Sequence, residues 1–249
     1  MSSALLSKFG SELNVAVVGV SGGLGQAFVE HFSTQPNVTK IHAFSRTQIE
    51  FGNDKVESHK MDIQLEQSIQ KALDNIGDTI LFDIVVVATG FLHDENVSPE
   101  KNIQDLDIDN FREVFSVNTY GPALLAKHFL PRLQCDQKSV FACLSARVGS
   151  ISDNRLGGWY AYRASKAALN MILKNAAIEM ARRHKKACVI GLHPGTVDTL
   201  LSKPFQRQVQ EGKLFTPEYS SACLLKVIND VTPEQSGKVF AWNGKEVPA

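Results

Sequence analysis

Short apolar, β-branched runs alternate with longer stretches of helical periodicity along almost the whole chain. Residues 13–20 read as a strand that passes at once into glycines and a helix from about Leu24 to Ser33. A second strand is predicted at 40–45, and apolar positions at Ile63, Ile69, Ala72, Leu73 and Ile76 mark a helical stripe. Residues 82–88 are apolar on both sides, as a central parallel strand must be. The alternation then continues: a long helix over 109–133 with Pro122 early enough to kink it, a strand at 138–144, a helix over 160–184 and a strand at 187–192. A helix near 217–228 and a strand at 238–241 follow. This order predicts one α/β domain over residues 1–249, a doubly wound parallel sheet with helices on both faces. Ligands on such sheets sit beyond the carboxyl ends of the strands.

Composition narrows the field. The 249 residues carry 26 Lys+Arg against 26 Asp+Glu, so no basic field exists to hold nucleic acid or an anionic membrane. Met1 to Lys8 lack the basic start and apolar core of a secretory signal. No run of roughly 18 apolar residues predicts a membrane span. Four cysteines, Cys135, Cys143, Cys188 and Cys223, show no CxxC spacing and read as buried reduced thiols, which suits a cytoplasmic protein. None of the seven histidines is spaced as HxxxH or HExxH, and no metal site is predicted. The basic run from Arg182 to Lys186 reads as a solvated helix end.

The chemistry begins at the first strand-to-helix turn, Gly19-Val20-Ser21-Gly22-Gly23-Leu24-Gly25. Glycines allow the tight turn and let a pyrophosphate touch backbone, while free N–H groups and the helix dipole face the phosphates. Such a turn points to a dinucleotide. The second strand ends in Phe44-Ser45-Arg46-Thr47, without the acid that usually bonds an NAD ribose. A guanidinium there suits a 2′-phosphate, so NADP(H) is expected rather than NAD(H). Further on, Tyr162 and Lys166 are four residues apart, on one helical face. A cation beside a phenol favours the phenolate and lowers its pKa, as general acid–base work requires.

These motifs, in this order, resemble the short-chain dehydrogenase/reductase family, and the likeness covers essentially the whole chain. Residues 145–151 and 157–171 are similar to the C-factor and Sniffer-like carbonyl reductase branch. The resemblance implies a Rossmann-type fold and interconversion of a small-molecule carbonyl and alcohol by hydride transfer. It implies Tyr162 as acid/base, with Lys166 tuning it and holding the nicotinamide ribose. Asn118 would anchor a proton-relay water, and Asp62, followed by Ile63, would bond the adenine amino group. Ala88, Thr89 and Gly90 would line the adenosine side. Pro194 and Gly195, then Val197 and Thr199, would pass the carboxamide. Asn118 as a plain mid-helix residue and Asp62 as a helix cap stay open. The segment from Leu200 to Gly212 corresponds to the family's substrate lid. Relatives commonly pair through the helix after Lys166, which is apolar nearly all round, so a homodimer or homotetramer is expected.

Three departures stand out. The family's Asn-Asn-Ala-Gly is Val87-Ala88-Thr89-Gly90 here. The usual Ser-Ser pair is Ser145-Ala146, and Ala146 holds the position of the carbonyl-polarising serine. Ser145 cannot replace it unless the strand end bulges, because neighbours face opposite sides; Ser145 is ranked first, with Ser150 and Ser152 as alternatives. The loop before Tyr162 is long, and its Trp159 and Tyr160 either stack on substrate or pack. His193 is the one histidine expected near the cleft. A rival reading is a dinucleotide-binding signalling protein of low turnover.

Overall fold

The computed structural model describes residues 5–249; Met1 to Ala4, part of the stretch read above for a signal, lie outside the described residues. Its centre is an eight-stranded sheet. In chain order the strands and helices are β1 (Leu13–Val18), α1 (Gly23–Thr34), β2 (Val38–Ser45), β3 (Val56–Lys60), α2 (Glu66–Ile76) and β4 (Ile84–Val87). Next come α3 (Ile108–Phe115), α4 (Gly121–Phe129), β5 (Ser139–Leu144), α5 (Tyr160–Arg183) and β6 (Ala187–His193). The chain continues through β7 (Thr196–Val197), β8 (Leu214–Phe215), α6 (Pro217–Asp230), β9 (Val239–Ala241) and β10 (Glu246–Val247).

The strand order is β10-β9-β6-β5-β4-β1-β2-β3, parallel except for β10, which turns back against β9. The order reverses beside β1, between β4 and β2, and opens the crevice in which ligands of such sheets sit. Two apolar layers hold the sheet. Val15, Val17, Val140 and Ala142 face α1 and α6, while Ala16, Val18, Phe141 and Cys143 face α2, α4 and α5. The strands β1, β4 and β5 are buried on both sides, which is why they read as continuous apolar runs.

Three features differ from the sequence reading. The edge strand β3, Val-Glu-Ser-His-Lys, carries too few apolar residues to signal itself. The helix expected over 109–133 is interrupted by a π-turn at Ser116–Tyr120, where the Gly121 N–H reaches Ser116 O. Pro122 brings no N–H to the carbonyl four residues back, that of Asn118, and the wider turn accommodates the loss in place of a sharp kink. Of the four thiols, Cys143 and Cys188 are buried, Cys223 is half-buried and Cys135 is exposed at a surface bend before β5. Among the described residues no helix is long and apolar enough to cross a membrane.

Candidate active site

The glycine turn closes tightly on β1 and β4. Gly19 has φ +95°, and a Cβ there would lie 2.9 Å from Thr89 Cγ2 and 3.0 Å from the Ala88 carbonyl carbon. At Gly25 a Cβ would lie 2.2 Å from Gly19 O, so both positions require glycine. The N–H groups of Gly19 and Val20 donate to Phe44 O and tie the turn to the end of β2. Gly22 forms the N-cap of α1, with no side-chain cap and no acid in the first turn. Ser21, Gly22, Gly23 and Leu24 thus lie at a bare, positively polarised helix end. Thr199 and Pro217 come within 3.4 Å of where a Gly23 Cβ would be, so the 194–199 segment borders the same helix end. Gly195 has φ +79° and packs under Phe215, and Ser220 holds Pro194 O at 2.8 Å. Val197 is buried in the small β7–β8 sheet. Thr89 Oγ1 is buried without a hydrogen-bond partner. A bare helix end, a turn that only glycine fits and an orphaned hydroxyl on one crevice fit a dinucleotide.

Arg46 follows the last residue of β2 and is exposed. Asp62 Oδ1 accepts the Gln64 N–H at 3.0 Å, and the Asp62 N–H donates to Ser68 Oγ. Asp62 therefore shapes the turn into α2, while Ile63 packs against Gly121 at the start of α4.

Across the crevice, α5 presents Tyr162 and Lys166, both buried. Lys166 Nζ donates to Leu144 O at 2.9 Å and lies 5.8 Å from the Tyr162 ring centroid. Asn118 is fully buried in the π-turn. Its amide donates to Phe91 O and Ser165 Oγ and accepts the Phe91 N–H, so it joins three segments and is no plain mid-helix residue. Ser165 in turn donates to Tyr162 O, and Thr119 donates to Ser165 O. A Cβ at Gly90 would stand 4.0 Å from both Asn118 Oδ1 and Lys166 Nζ, so Gly90, Asn118 and Lys166 meet at one point.

The acid–base picture departs from the expected one. Burial pushes the Tyr162 phenol up to about 12 and Lys166 down to about 8. The ammonium is turned to the Leu144 carbonyl, and a buried phenol resists ionisation in a low-dielectric site. The predicted lowering of the Tyr162 pKa is absent from this state, and the phenol is protonated at neutral pH. His193, at the end of β6, is pushed down to about 4 by burial and then by Arg147; its Nδ1 has no partner.

The serines are engaged elsewhere. The Ser145 N–H continues the ladder to Leu192 O, and Ala146 stays extended at φ −148°, ψ 146°, so the strand end does not bulge. The Ser145 hydroxyl donates to Asn170 Oδ1 at 2.6 Å, one turn beyond Lys166 on α5. Ser150 and Ser152 both donate to Ala249 O. Among the described residues none of the three is hydrogen-bonded to Tyr162.

Glu100 and the aromatic partners of Trp159 escaped the sequence reading. The buried Glu100 accepts the Ala161 N–H through Oε2 at 3.1 Å and the Trp159 N–H through its carbonyl. It therefore caps α5 immediately before Tyr162, from a loop no spacing rule connects to that helix. Gly157, Gly158 and Trp159 all have positive φ, at 65°, 62° and 52°, and this unusual turn aims the indole inward. Trp159 packs edge-on to Phe205 at 4.9 Å and to Tyr162 at 6.2 Å. His93 meets Phe205 at 5.5 Å and its ring nitrogen bonds Leu201 O. Together they form an aromatic wall between Tyr162 and the 200–212 segment.

A family model described as short chain dehydrogenase matches residues 13–210. The chain belongs to the short-chain dehydrogenases. Its likeness to C-signal is one of sequence, and its likeness to the carbonyl reductases is one of fold. C-signal of Myxococcus xanthus is 35% identical over 144 residues, 58% of this chain and 81% of that one. The NADPH-bound carbonyl reductase from chicken fatty liver superposes with a TM-score of 0.83 at 22% identity, covering 98% of this chain and 97% of that one. The carbonyl reductase Sniffer of D. melanogaster gives 0.82 at 19%, covering 96% and 100%. At these identities the two structures establish the shared fold.

Proposed function

We propose that this oxidoreductase reduces aromatic or other planar carbonyl compounds at the expense of NADPH, with Tyr162 as the proton donor. The observation that carries the reading is the Tyr162–Lys166 pair, set across the crevice from the glycine turn and walled by Trp159, Phe205 and His93. The dinucleotide would supply hydride. Gly19, Ser21, Gly22, Gly23, Leu24 and Gly25 would hold its phosphates and Arg46 its 2′-phosphate, with Thr89, Asp62 and Ile63 on the adenosine side. Pro194, Gly195, Val197 and Thr199 would border the carboxamide.

Each residue then has a separate task. Tyr162 is protonated at neutral pH and gives its proton to the oxygen that becomes the alcohol. Lys166, held on Leu144 O, stabilises the phenolate that remains. Asn118 and Ser165 fix the height of Tyr162 by gripping α5 and the Phe91 backbone. The aromatic wall excludes water and offers flat apolar area to a flat substrate. Exposed Met171 and Ile178 on α5, with Tyr120 in the turn before α4, support pairing of copies through this face.

The deciding experiment titrates the protein with NADPH and NADH by nicotinamide fluorescence, in wild type and Arg46→Ala. NADPH preference that falls by about tenfold to hundredfold in the variant supports the reading, the loss matching a charge-assisted contact. Equal affinity for both cofactors would remove the role given to Arg46. Failure to bind either would refute the oxidoreductase reading, whereas binding without turnover would favour the dinucleotide-binding signalling protein, a reading that the lack, among the described residues, of any serine bonded to Tyr162 also supports.

A further inference from the structure

Away from the crevice, the register of β2 on β3 gathers three groups that sequence spacing leaves unrelated. His42 pairs with Glu57 and Phe44 with His59, so all four side chains share the sheet face beneath α2. His42 Nδ1 lies 3.0 Å from His59 Nε2, which lies 3.9 Å from Glu57 Oε1. Three potential ligand atoms, one from each residue, lie within 4.8 Å of one another. The rings have little freedom to turn away: Phe82 sits edge-on to His42 at 5.6 Å, and Phe44 stacks on His59 at 5.0 Å.

We propose that His42, His59 and Glu57 form a binding site for a divalent transition-metal ion of the zinc class, with its remaining position open to solvent. Two imidazole nitrogens and one carboxylate oxygen are a donor set that suits zinc, cobalt, nickel or copper and not the hard cations calcium and magnesium. Tetrahedral bonds of about 2.0–2.1 Å put neighbouring ligand atoms about 3.3–3.4 Å apart. The observed 3.0 and 3.9 Å bracket that separation, and the half-exposed Glu57 side chain can close the longer gap. Without an ion, the two facing nitrogens must share one proton. An ion between them takes both lone pairs, and the shared proton moves to the opposite nitrogen of its ring.

The surroundings supply access and a fourth ligand. A cleft of about 580 Å³, lined by Asn14, Lys40, His42 and Glu57, opens onto the cluster and admits water. Asn14, whose Oδ1 is buried without a hydrogen-bond partner, lines the same cleft. Lys40 Nζ holds the other carboxylate oxygen, Glu57 Oε2, at 2.8 Å, leaving Oε1 for the ion. That ammonium opposes a second cation, so its removal should tighten binding. Because β3 is the sheet edge, a bound ion would fasten it to β2.

The test uses the whole chain, stripped with chelator and titrated with Co²⁺ by visible absorption and with Zn²⁺ by calorimetry. One equivalent should bind, with ligand-field bands of a nitrogen–oxygen site and no thiolate charge-transfer band, and Zn²⁺ should displace Co²⁺. Glu57→Gln and His59→Gln should each weaken binding by more than about tenfold. Lys40→Met should strengthen it, a gain that misfolding cannot mimic. Cys135→Ser should leave it unchanged. Absence of stoichiometric uptake, uptake that survives both ligand substitutions, or uptake lost with Cys135→Ser would each overturn the proposal.

Discussion

Two adjacent substitutions separate a structural serine from a catalytic one. Ser145 is buried, and its hydroxyl donates to Asn170 Oδ1 at 2.6 Å. Ala146, next along an unbulged extended strand, faces the other way and stands where the family resemblance would place the carbonyl-polarising hydroxyl. Ser145→Ala removes one hydrogen bond and leaves the Asn170 carbonyl oxygen without that donor, which costs about 1–2 kcal/mol. For a chain of this length that lowers Tm by roughly 2–8 °C. It should leave kcat close to wild type, because no atom of the reaction loses a partner.

Ala146→Ser does the reverse. A fully preorganised donor to a developing oxyanion is worth ~10²–10³ in kcat. A hydroxyl introduced into a site not built around it should recover only part of that, about tenfold. Both variants are assayed by carbonyl-dependent oxidation of NADPH over a panel of aromatic ketones and diketones, alongside thermal melts. A Ser145→Ala protein with unchanged Tm and kcat reduced about a hundredfold would refute this reasoning and make Ser145 the polarising group.

Tyr162→Phe should fold normally, since the phenol oxygen has no hydrogen-bond partner among the described residues, and should lose ~10²–10⁴ of kcat; retained turnover would exclude Tyr162 as proton donor. Lys166→Met replaces a buried ammonium that has one hydrogen bond with an apolar chain of similar length. It should abolish turnover while Tm holds or rises, because the desolvation of the charge is relieved. Burial sets the Lys166 pKa at about 8, below the ordinary lysine value. Unfolded chains therefore bind more protons between about pH 8 and the ordinary value near 10.4, and this group adds stability as pH rises through that window. The same rise should vanish from the melts of Lys166→Met. Glu100→Ala uncaps α5 and should cost about 0.5–2 kcal/mol in denaturant unfolding, with kcat lowered as well because Tyr162 is the third residue of that helix.

What could be read from the sequence is what local chemistry decides. The glycine turn was legible because Gly19 and Gly25 meet steric limits set by atoms a few residues away, and the Tyr162–Lys166 spacing is fixed by one helical turn. The buried strands β1, β4 and β5 announced themselves because both of their faces are covered. What stayed hidden depends on partners that only the finished fold supplies. Glu100 acts as a cap because a loop 61 residues from Ala161 folds over the start of α5. Ser145 gives its hydroxyl to Asn170 because the strand end stays straight and Asn170 lies in reach. Two residues of the proposed metal site, Glu57 and His59, belong to β3, whose polar patterning barely marks it as a strand, and their proximity to His42 on β2 is a matter of register. The Tyr162 pKa makes the same point for energetics. A cation four residues away argues for a lowered value, but the direction depends on where that ammonium points and how far water is excluded, and here both favour the neutral phenol. A dinucleotide bound as proposed would bring new groups against Lys166 and Tyr162, so the acid–base balance of this site would belong to the complex and not to either side chain alone.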